Sequence, residues 1–420
     1  MSNISVEFQV STWNRDSHGL FDYETKNLVK KSFKATGPCW IIRTQDQITA
    51  DNIEGEPKLP EENSKVLAML TQTGSNFVLN RPYQNHKETN QTFEKMWLVV
   101  SGIKGYKGQK GYKLSEGDII RIGRVVLRIN EINGSKETSE NTQSELRCPQ
   151  ICNGGLGSRK RTVLTEEPLN VDVASEGSSQ CLNSLNEKAQ CRICLMETAS
   201  EEDPLITPCK CSGTMAQIHL NCLRHWLTSK VTTREINNSK SYSWKTLECE
   251  LCKMKYPDKL IVKGVTHDLL GFEKPQSNYI VLENLNKDRS NLRTIHVIAM
   301  TNKNNIRLGR GHDADIRITD ISVSRNHATI RLIKNNLVLE DNESKFGTLV
   351  QIKKPIFLDI GSSLMVQCGR SVMAISVKKS WSLFSCFGSC SKAEEAEIPE
   401  IEHEVRENTD ESDPSDSSPQ

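Results

Sequence analysis

Four pairs of cysteine and histidine residues within one short stretch constrain the fold of this chain more than any other feature. Gaps of fourteen, seven and twenty-six residues separate the pairs, which contain seven of the fourteen cysteines. Structural zinc takes four sulfur or nitrogen ligands, so eight of them predict two closed zinc sites without an open position for a reactive water. Buried free thiols are the alternative, but four ordered pairs favour zinc. The eight residues are Cys191, Cys194, Cys209, Cys211, His219, Cys222, Cys249 and Cys252.

The ligand order and spacing resemble the RING-CH family of ubiquitin ligases, with the domain at 188–258. The PHD finger, a histone-tail reader, shares the ligand order, but it usually has a shorter gap before the histidine and an aromatic residue where this chain has Leu247. The resemblance implies a small α+β domain with two cross-braced zinc ions. The first and third pairs would hold one ion (Cys191, Cys194, His219, Cys222), and the second and fourth pairs the other (Cys209, Cys211, Cys249, Cys252).

This resemblance implies a RING-type ubiquitin-protein transferase that has no catalytic nucleophile of its own. The domain would bind a ubiquitin-conjugating enzyme and orient its thioester-linked ubiquitin toward a substrate lysine. Ile193 and Trp226 would form the apolar contact with that enzyme. Lys253 would clamp ubiquitin, although a solvated surface lysine is the alternative. Glu250 stands where many RING domains have proline, which leaves the choice of conjugating enzyme open.

Three short motifs between residues 306 and 350 form a second group of candidate functional residues. They are Gly-Arg at 309–310, Ser-Arg-x-His at 324–327 and Ser-x-x-Gly-Thr at 344–348. Together they resemble the signature of the forkhead-associated (FHA) domain, an all-β sandwich that binds phosphothreonine peptides, and the resemblance covers 275–379.

The FHA resemblance implies a phosphopeptide site made by Arg310, Ser324, Arg325 and Lys345. An arginine fork and a serine hydroxyl suit a phosphate group, which has about −1.5 to −2 charges and three strong acceptor oxygens. His327 would orient the loop from beneath. Family members that bind phosphothreonine well usually have asparagine at the position of Phe346. An FHA fold kept only for scaffolding is therefore the alternative.

Residues 1–132 contain several short apolar runs separated by polar and glycine-rich turns, which predicts a β-rich domain. The pattern of 113–129, a leucine, a glycine and two apolar strands around Gly-Arg, returns at 357–377. Two ordinary hairpins would explain this similarity. A degenerate FHA-like sandwich without the phosphate-reading loop would explain it as well.

The remaining segments predict little packed structure. Residues 133–187 are rich in Ser, Thr, Asn, Glu and Gly and predict a flexible linker. Residues 391–420 predict a disordered acidic tail. From 393 onward there are eleven acids and one arginine, a charge of −10; since the whole chain has a net charge of +1, the first 392 residues carry +11. Such a basic body suits an anionic ligand or nucleic acid, but no base-reading motif appears, and we expect no nucleic-acid partner.

No segment has the apolar length of a transmembrane helix or the pattern of a secretory signal. The sequence therefore predicts a soluble, multidomain, cytoplasmic or nuclear protein that contains zinc. Its predicted partners are a ubiquitin-conjugating enzyme, ubiquitin and threonine-phosphorylated proteins. The predicted function is a ubiquitin ligase that recruits phosphorylated substrates, and the alternative is a non-enzymatic phospho-dependent adaptor.

Overall fold

The computed structural model describes most of the chain up to residue 380. The described residues are 3–15, 19–45, 47–52, 64–74, 76–82, 94–103, 111–134, 169–171, 189–236, 238–286, 292–300 and 304–380. The predicted acidic tail and most of the predicted linker lie outside these ranges. Residues 2–380 form one compact unit.

The described residues of the N-terminal third of the chain form ten strands. Buried and less buried side chains alternate along β10, the pattern of a strand that packs one face on a core. A 3-10 turn at Val100–Gly102 separates the first seven strands from the last three. The bounds are β1 (Asn3–Trp13), β2 (Leu28–Ala35), β3 (Cys39–Thr44), β4 (Gln47–Asn52), β5 (Lys65–Thr73), β6 (Asn76–Asn80), β7 (Met96–Val99), β8 (Tyr112–Lys113), β9 (Ile119–Ile122) and β10 (Val125–Asn133).

The zinc segment contains the only α-helix of the described residues, α1 (Leu220–Thr228). Leu220, Leu223 and Leu227 are buried, because their spacing of three and four places them on one helix face. A 3-10 turn at Gly213–Met215 precedes β13. The strands here are β11 (Leu169–Val171), β12 (Leu205–Ile206), β13 (Ile218–His219), β14 (Thr232–Ile236), β15 (Ser239–Trp244), β16 (Lys259–Val262) and β17 (Val265–Asp268).

Ten strands follow the zinc segment in the described residues, the same number as in the described N-terminal part. They are β18 (Tyr279–Asn284), β19 (Arg293–Ala299), β20 (Asn305–Gly309), β21 (Ile316–Arg317), β22 (Ala328–Ile333), β23 (Asn336–Asp341), β24 (Thr348–Gln351), β25 (Ile356–Leu358), β26 (Ser363–Cys368) and β27 (Ser371–Ser380).

The two halves of the chain exchange their last three strands. β27 pairs with β1 along ten residues, β26 pairs with β7, and β25 pairs with β6. In return, β10 pairs with β18, β9 with β24, and β8 with β23. Each sandwich is therefore made of seven strands from one half of the chain and three from the other.

The two sandwiches have the same strand order. In the first, the sheets run β2-β1-β27-β26-β7 and β4-β3-β5-β6-β25; in the second, they run β19-β18-β10-β9-β24 and β21-β20-β22-β23-β8. A pairing of β7 with β24 joins the two larger sheets into one twelve-stranded sheet. One continuous apolar cluster fills both sandwiches. It includes Phe8 and Ile41 of the first sandwich and Leu127 and Ile330 of the second.

Strand exchange explains the repeated pattern of the sequence. The segments 113–129 and 357–377 form equivalent hairpins, and each lies in the sandwich begun by the other half. The predicted boundaries at 132 and 275 divide the chain, but the hydrogen-bonded sheets cross both of them. The predicted multidomain class of an all-β sandwich plus a small zinc domain is confirmed. The FHA-like character of the N-terminal part stays a prediction.

The zinc segment is attached to the second sandwich by its own hairpin, β14–β15, which extends the large sheet through six residue pairs between β15 and β19. Arg293 on β19 strengthens this junction. Its guanidinium contacts both carboxylate oxygens of Asp258, at 2.5 and 3.1 Å, and its carbon Cζ lies 5.3 Å from the ring centre of Trp244. In the predicted linker, β11 pairs in parallel with β16.

Candidate metal centre and phosphopeptide site

The first cluster of metal-ligating groups contains Cys191, Cys194, His219 and Cys222, whose ligand atoms all lie within 4.8 Å of one another. The Nδ1 atom of His219 faces the sulfurs of Cys194, at 3.2 Å, and Cys222, at 3.9 Å. Its Nε2 atom lies 2.6 Å from the carbonyl oxygen of Thr198 and donates its hydrogen there. In a metal-ligating histidine, a hydrogen bond from the ring nitrogen that does not bind the metal fixes the orientation of the ring.

The second cluster contains four cysteines, Cys209, Cys211, Cys249 and Cys252, again within 4.8 Å. The knuckle at Cys249 repeats the knuckle at Cys191: the amides of Leu195 and Lys253 donate to the carbonyls of Cys191 and Cys249, each at 2.9 Å. Both Leu195 and Lys253 have positive φ, which closes the tight turn.

The electrostatics of the clusters favour a bound cation. Burial opposes ionisation of Cys249, but amide donors from Cys252 and Leu251 outweigh it and lower the pKa of its thiol to about 5. Burial, and then the neighbouring sulfurs, raise the pKa values of Cys211 and Cys222 to about 12. A bound Zn²⁺ would favour the ionised form of the thiols in both clusters.

The two clusters fit two zinc ions, and the zinc prediction is confirmed. The ligand pairs alternate between the clusters along the chain, as the RING-CH resemblance implied. Each cluster has four sulfur or nitrogen donors, which is a closed structural zinc site. Zinc would therefore stabilise the fold of this segment, and partners would be bound by its surface.

Arg192 connects the two clusters, and the sequence analysis missed it. It follows a ligand of the first cluster, yet its guanidinium lies 3.8 Å from Cys209 Sγ and 3.6 Å from Cys249 Sγ in the second. It also donates to the carbonyl of Met215 at 2.8 Å. A basic residue between two ligands of a CxxC pair was the signal that could have indicated this role.

The surface around the zinc knuckles is unusually apolar. Nine large apolar side chains are exposed in the described residues, and five of them lie here: Ile193, Leu195, Met196, Met215 and Leu251. Of the predicted contact residues, Ile193 is 44% exposed. Trp226 is partly buried against the core of the zinc segment, with its ring at 79° to the ring of Tyr256 and the two ring centres 6.4 Å apart. Lys253 is exposed, with its ammonium 4.0 Å from Glu248.

The predicted phosphate-reading residues meet at the loops of the second sandwich. The amides of Arg310 and Gly311 donate to the carbonyls of Ser324 and Arg325, at 2.9 and 3.0 Å, so two loops are tied side by side. A Cβ atom at Gly309 would lie only 2.1 Å from the carbonyl oxygen of Arg325, so glycine is needed for this approach. The side chains of Arg310 and Arg325 are exposed and Ser324 is half-buried.

His327 lies beneath these loops and is fully buried. Its Nδ1 atom accepts the amide hydrogen of Ser324 at 3.0 Å, so its Nε2 atom carries the hydrogen and donates it to the carbonyl of Gly347 at 3.2 Å. Burial lowers the pKa of His327, which keeps the ring neutral and the two hydrogen bonds intact at neutral pH. The ring thereby ties the Ser324 loop to the 344–347 turn.

The unusual Lys345-Phe346 pair has a structural explanation. The amide of Lys345 donates to Ser324 Oγ at 3.3 Å, which leaves the serine hydroxyl hydrogen available for a ligand. Phe346 is partly buried in an apolar cluster with residues of the N-terminal half and of β27: Trp13, Leu20, Phe21 and Val372. Phe346 therefore anchors the turn to the first sandwich. Sequence reasoning treated it only as a lost peptide contact.

Comparison with known proteins gives a domain assignment for both sites. The family model described as the RING-variant domain matches residues 191–252, and that of the FHA domain matches 306–364. The chain is 43% identical over 65 residues to the E3 ubiquitin-protein ligase MARCHF7 of Pongo abelii, covering 16% of this chain and 8% of the relative. Identity to the E3 ubiquitin-protein ligase marc-3 of Caenorhabditis elegans is 36% over 99 residues, covering 21% and 20%.

A third relative is the E3 ubiquitin-protein ligase MARCHF3 of Mus musculus, 42% identical over 71 residues, covering 17% of this chain and 25% of the relative. The chain thus spans a quarter or less of the length of these three curated relatives. A solved structure, the FhaA FHA domain complexed with the intracellular domain of Rv3910, is 26% identical. The match covers 17% of this chain and 78% of that chain, with a TM-score of 0.10.

No helix in the described part of the chain is long and apolar enough to span a bilayer. The relatives match the zinc segment, and both predicted resemblances are confirmed. The chain contains a RING-variant (RING-CH) zinc domain and an FHA domain.

Proposed function

We propose that this protein is a RING-type E3 ubiquitin ligase that selects threonine-phosphorylated substrates through its FHA domain. The observation that carries the proposal is the pair of interleaved Cys/His clusters, surrounded by an exposed apolar surface, in the same compact unit as a converging set of candidate phosphate-reading loops. The three curated relatives named above are E3 ubiquitin-protein ligases by name and match the zinc segment, which supports the first half of the proposal.

The zinc domain acts by binding and orientation. Ile193, Leu251 and the edge of Trp226 offer an apolar surface for a ubiquitin-conjugating enzyme. Lys253 lies next to the second knuckle, where its exposed ammonium can donate a hydrogen bond to the conjugated ubiquitin. Holding the thioester close to a substrate lysine lowers the entropic part of the barrier, which is worth up to about 7–11 kcal/mol in well-oriented systems.

The FHA domain supplies the substrate. Arg310 and Arg325 provide exposed positive charge, and Ser324 keeps a hydroxyl hydrogen for a phosphate oxygen. Because the β14–β15 hairpin is hydrogen-bonded to β19 of this sandwich, a substrate held at the loops is attached to the same compact unit as the zinc domain. That arrangement would keep the conjugating enzyme and the substrate within one assembly.

The ligase half of the proposal is tested by ubiquitin-chain formation with a panel of conjugating enzymes. We expect Ile193→Ala to abolish chain formation while the zinc content and the far-UV spectrum stay unchanged. Val265→Ala is the matched control, since Val265 is also a large exposed apolar residue but lies on β17, which contains none of the metal-ligating residues. Absence of chains with every enzyme, combined with phosphopeptide binding, would favour the adaptor alternative.

The phosphopeptide half is tested by binding of library-selected phosphothreonine peptides. We expect Arg310→Ala to weaken binding by about 1.5–3 kcal/mol, the range for a hydrogen bond to a charged group. The control is Arg331→Ala, because Arg331 lies on β22 of the same sandwich and pairs with Glu340. Equal binding of the phosphorylated and unphosphorylated peptides by the wild-type protein would refute phosphate reading.

A further inference from the structure

The connection between β1 and β2 of the first sandwich lies against the 344–347 turn of the second. The amide of Tyr23 donates to the carbonyl of Lys345 at 3.0 Å. The Tyr23 ring packs beside Gly347 so closely that a Cβ atom on this glycine would lie 2.6 Å from Cε2 of the ring. The Tyr23 hydroxyl donates to Gln367 of β26 at 3.0 Å, which fixes the tyrosine from its other end. The two segments are therefore in specific contact.

Two carboxylates on this connection face the ammonium group of Lys345. Asp22 Oδ2 lies 3.5 Å and Glu24 Oε2 3.9 Å from Lys345 Nζ. The Asp22 side chain is only 13% exposed, and its other oxygen accepts the amide hydrogen of Glu24 at 3.0 Å. The nearer carboxylate is thus held in place by the backbone, and less screened by water than a free surface charge.

Lys345 also belongs to the phosphate-reading loops, because its amide donates to Ser324 Oγ. A phosphate group at Ser324 and Arg310 would carry about −1.5 to −2 charges and attract the same ammonium. One lysine therefore has two possible anionic partners. One is supplied by a ligand and the other by the chain itself.

We propose that Asp22 and Glu24 restrain the phosphopeptide site by competing with the ligand for Lys345. This proposal rests on the proposed phosphopeptide function and extends it to regulation of the same site by the N-terminal half. It assigns a role to the first sandwich. Unlike the exposed Arg310 of the second sandwich, Arg43 on β3 of the first sandwich is buried and paired with Glu94, so it does not face solvent. The restraint is electrostatic, so it weakens as ionic strength rises.

Phosphopeptide affinity of the full chain tests the restraint. The probe is a phosphothreonine peptide selected from a degenerate library on the wild-type protein, with its unphosphorylated form as a blank. We expect Asp22→Asn/Glu24→Gln to bind the probe about two- to fivefold more tightly at low salt, the range for a partly exposed ion pair. The gain should shrink at high salt and disappear when Lys345→Met is added.

Glu343→Gln is the matched control, because Glu343 lies in the loop that ends at the same turn and carries the same charge, but it makes no ion pair with Lys345 among the described contacts. An equal gain in this control would show a general effect of charge and overturn the proposal. So would unchanged or weaker binding by Asp22→Asn/Glu24→Gln with an unchanged melting temperature; if that double variant unfolds, the exposed Glu24→Gln alone must still give a gain.

The proposed function has a separate outcome. Binding that requires Arg310 but ignores Asp22 and Glu24 would refute only the restraint. Failure of the wild type to distinguish phosphorylated from unphosphorylated peptides would refute phosphate reading, and the restraint with it.

Discussion

Replacing Arg192 with methionine should weaken one zinc site and leave the other almost unchanged. Methionine keeps an unbranched apolar stem but removes the charge and all the donors of the guanidinium. The lost contacts are those to the sulfurs of Cys209 and Cys249, to the Met215 carbonyl and to the Tyr256 hydroxyl. Four thiolates around one Zn²⁺ leave a net negative charge, so a guanidinium at these sulfurs stabilises the metal-bound form.

The expected magnitude follows from the position of the guanidinium outside the ligand shell. Loss of such a partner typically costs 10–100-fold in metal affinity, which is about 1.4–2.7 kcal/mol. Arg192 is partly exposed, so screening by water places the effect in the lower half of that range. The first cluster should change little, because the described hydrogen bonds of the Arg192 guanidinium reach no sulfur of that cluster.

The assay is competition for zinc between the protein and a chelator, with Co²⁺ substitution to distinguish the two sites. A site of four thiolates and a site with one histidine give different Co²⁺ absorption bands. Arg224→Met is the control, since Arg224 lies on α1 and donates to the Asp268 carbonyl, away from the sulfurs. Equal loss of affinity at both sites, or none at either, would refute the assignment of Arg192 to the second cluster.

Three further predictions concern metal, packing and pH. The full chain should bind two zinc ions, and a strong chelator should unfold the zinc segment, because structural zinc contributes about 10–16 kcal/mol to small domains; one ion per chain by metal analysis would contradict this. Phe346→Asn, which restores the residue usual in the family, should lower the free energy of unfolding by about 1–3 kcal/mol in denaturant titrations, because it removes an apolar anchor; a more stable variant would contradict the anchor. Burial lowers the pKa of His296 to about 4, below its ordinary 6.5. Since the unfolded chain then binds the proton more tightly, stability present at pH 7 should fall by about 2 kcal/mol on going to pH 5. His296→Gln should remove that part of the pH dependence, and an identical pH profile would contradict it.

The zinc ligands could be predicted from sequence because their geometry is local. Each knuckle closes through a hydrogen bond between residues four apart, at Cys191–Leu195 and at Cys249–Lys253, so the spacing alone indicates the structure. The three FHA motifs could be predicted for a similar reason. Gly309 lies against Arg325, and His327 bonds Ser324 and Gly347, so these contacts join residues of the signature motifs themselves. Short apolar runs also gave the positions of most strands.

The partners of the strands could not be predicted, because a β-strand does not encode locally which edge it joins. The two hairpins at 113–129 and 357–377 have the same pattern, so either could complete either sandwich. Arg192 and Phe346 were missed for a related reason. Arg192 contacts Cys249, 57 residues away, and Phe346 packs against a cluster that contains Phe21, more than 320 residues away; the neighbouring sequence does not specify which distant residues they meet.

Strand exchange changes what each half of the chain can do alone. β27 contributes ten residue pairs to β1, and the buried side chains of Met373, Ile375 and Val377 belong to the shared core. A fragment that ends before β25 would leave β1, β6 and β7 with open edges and would expose this apolar surface, as would an FHA fragment that starts at residue 275 and lacks β8–β10. The loops of the proposed phosphopeptide site, the zinc hairpin and the N-terminal connection around Tyr23 therefore all belong to one compact unit, residues 2–380. For that reason the sites are best perturbed by point substitution in the full chain, where the sheets that position them remain complete.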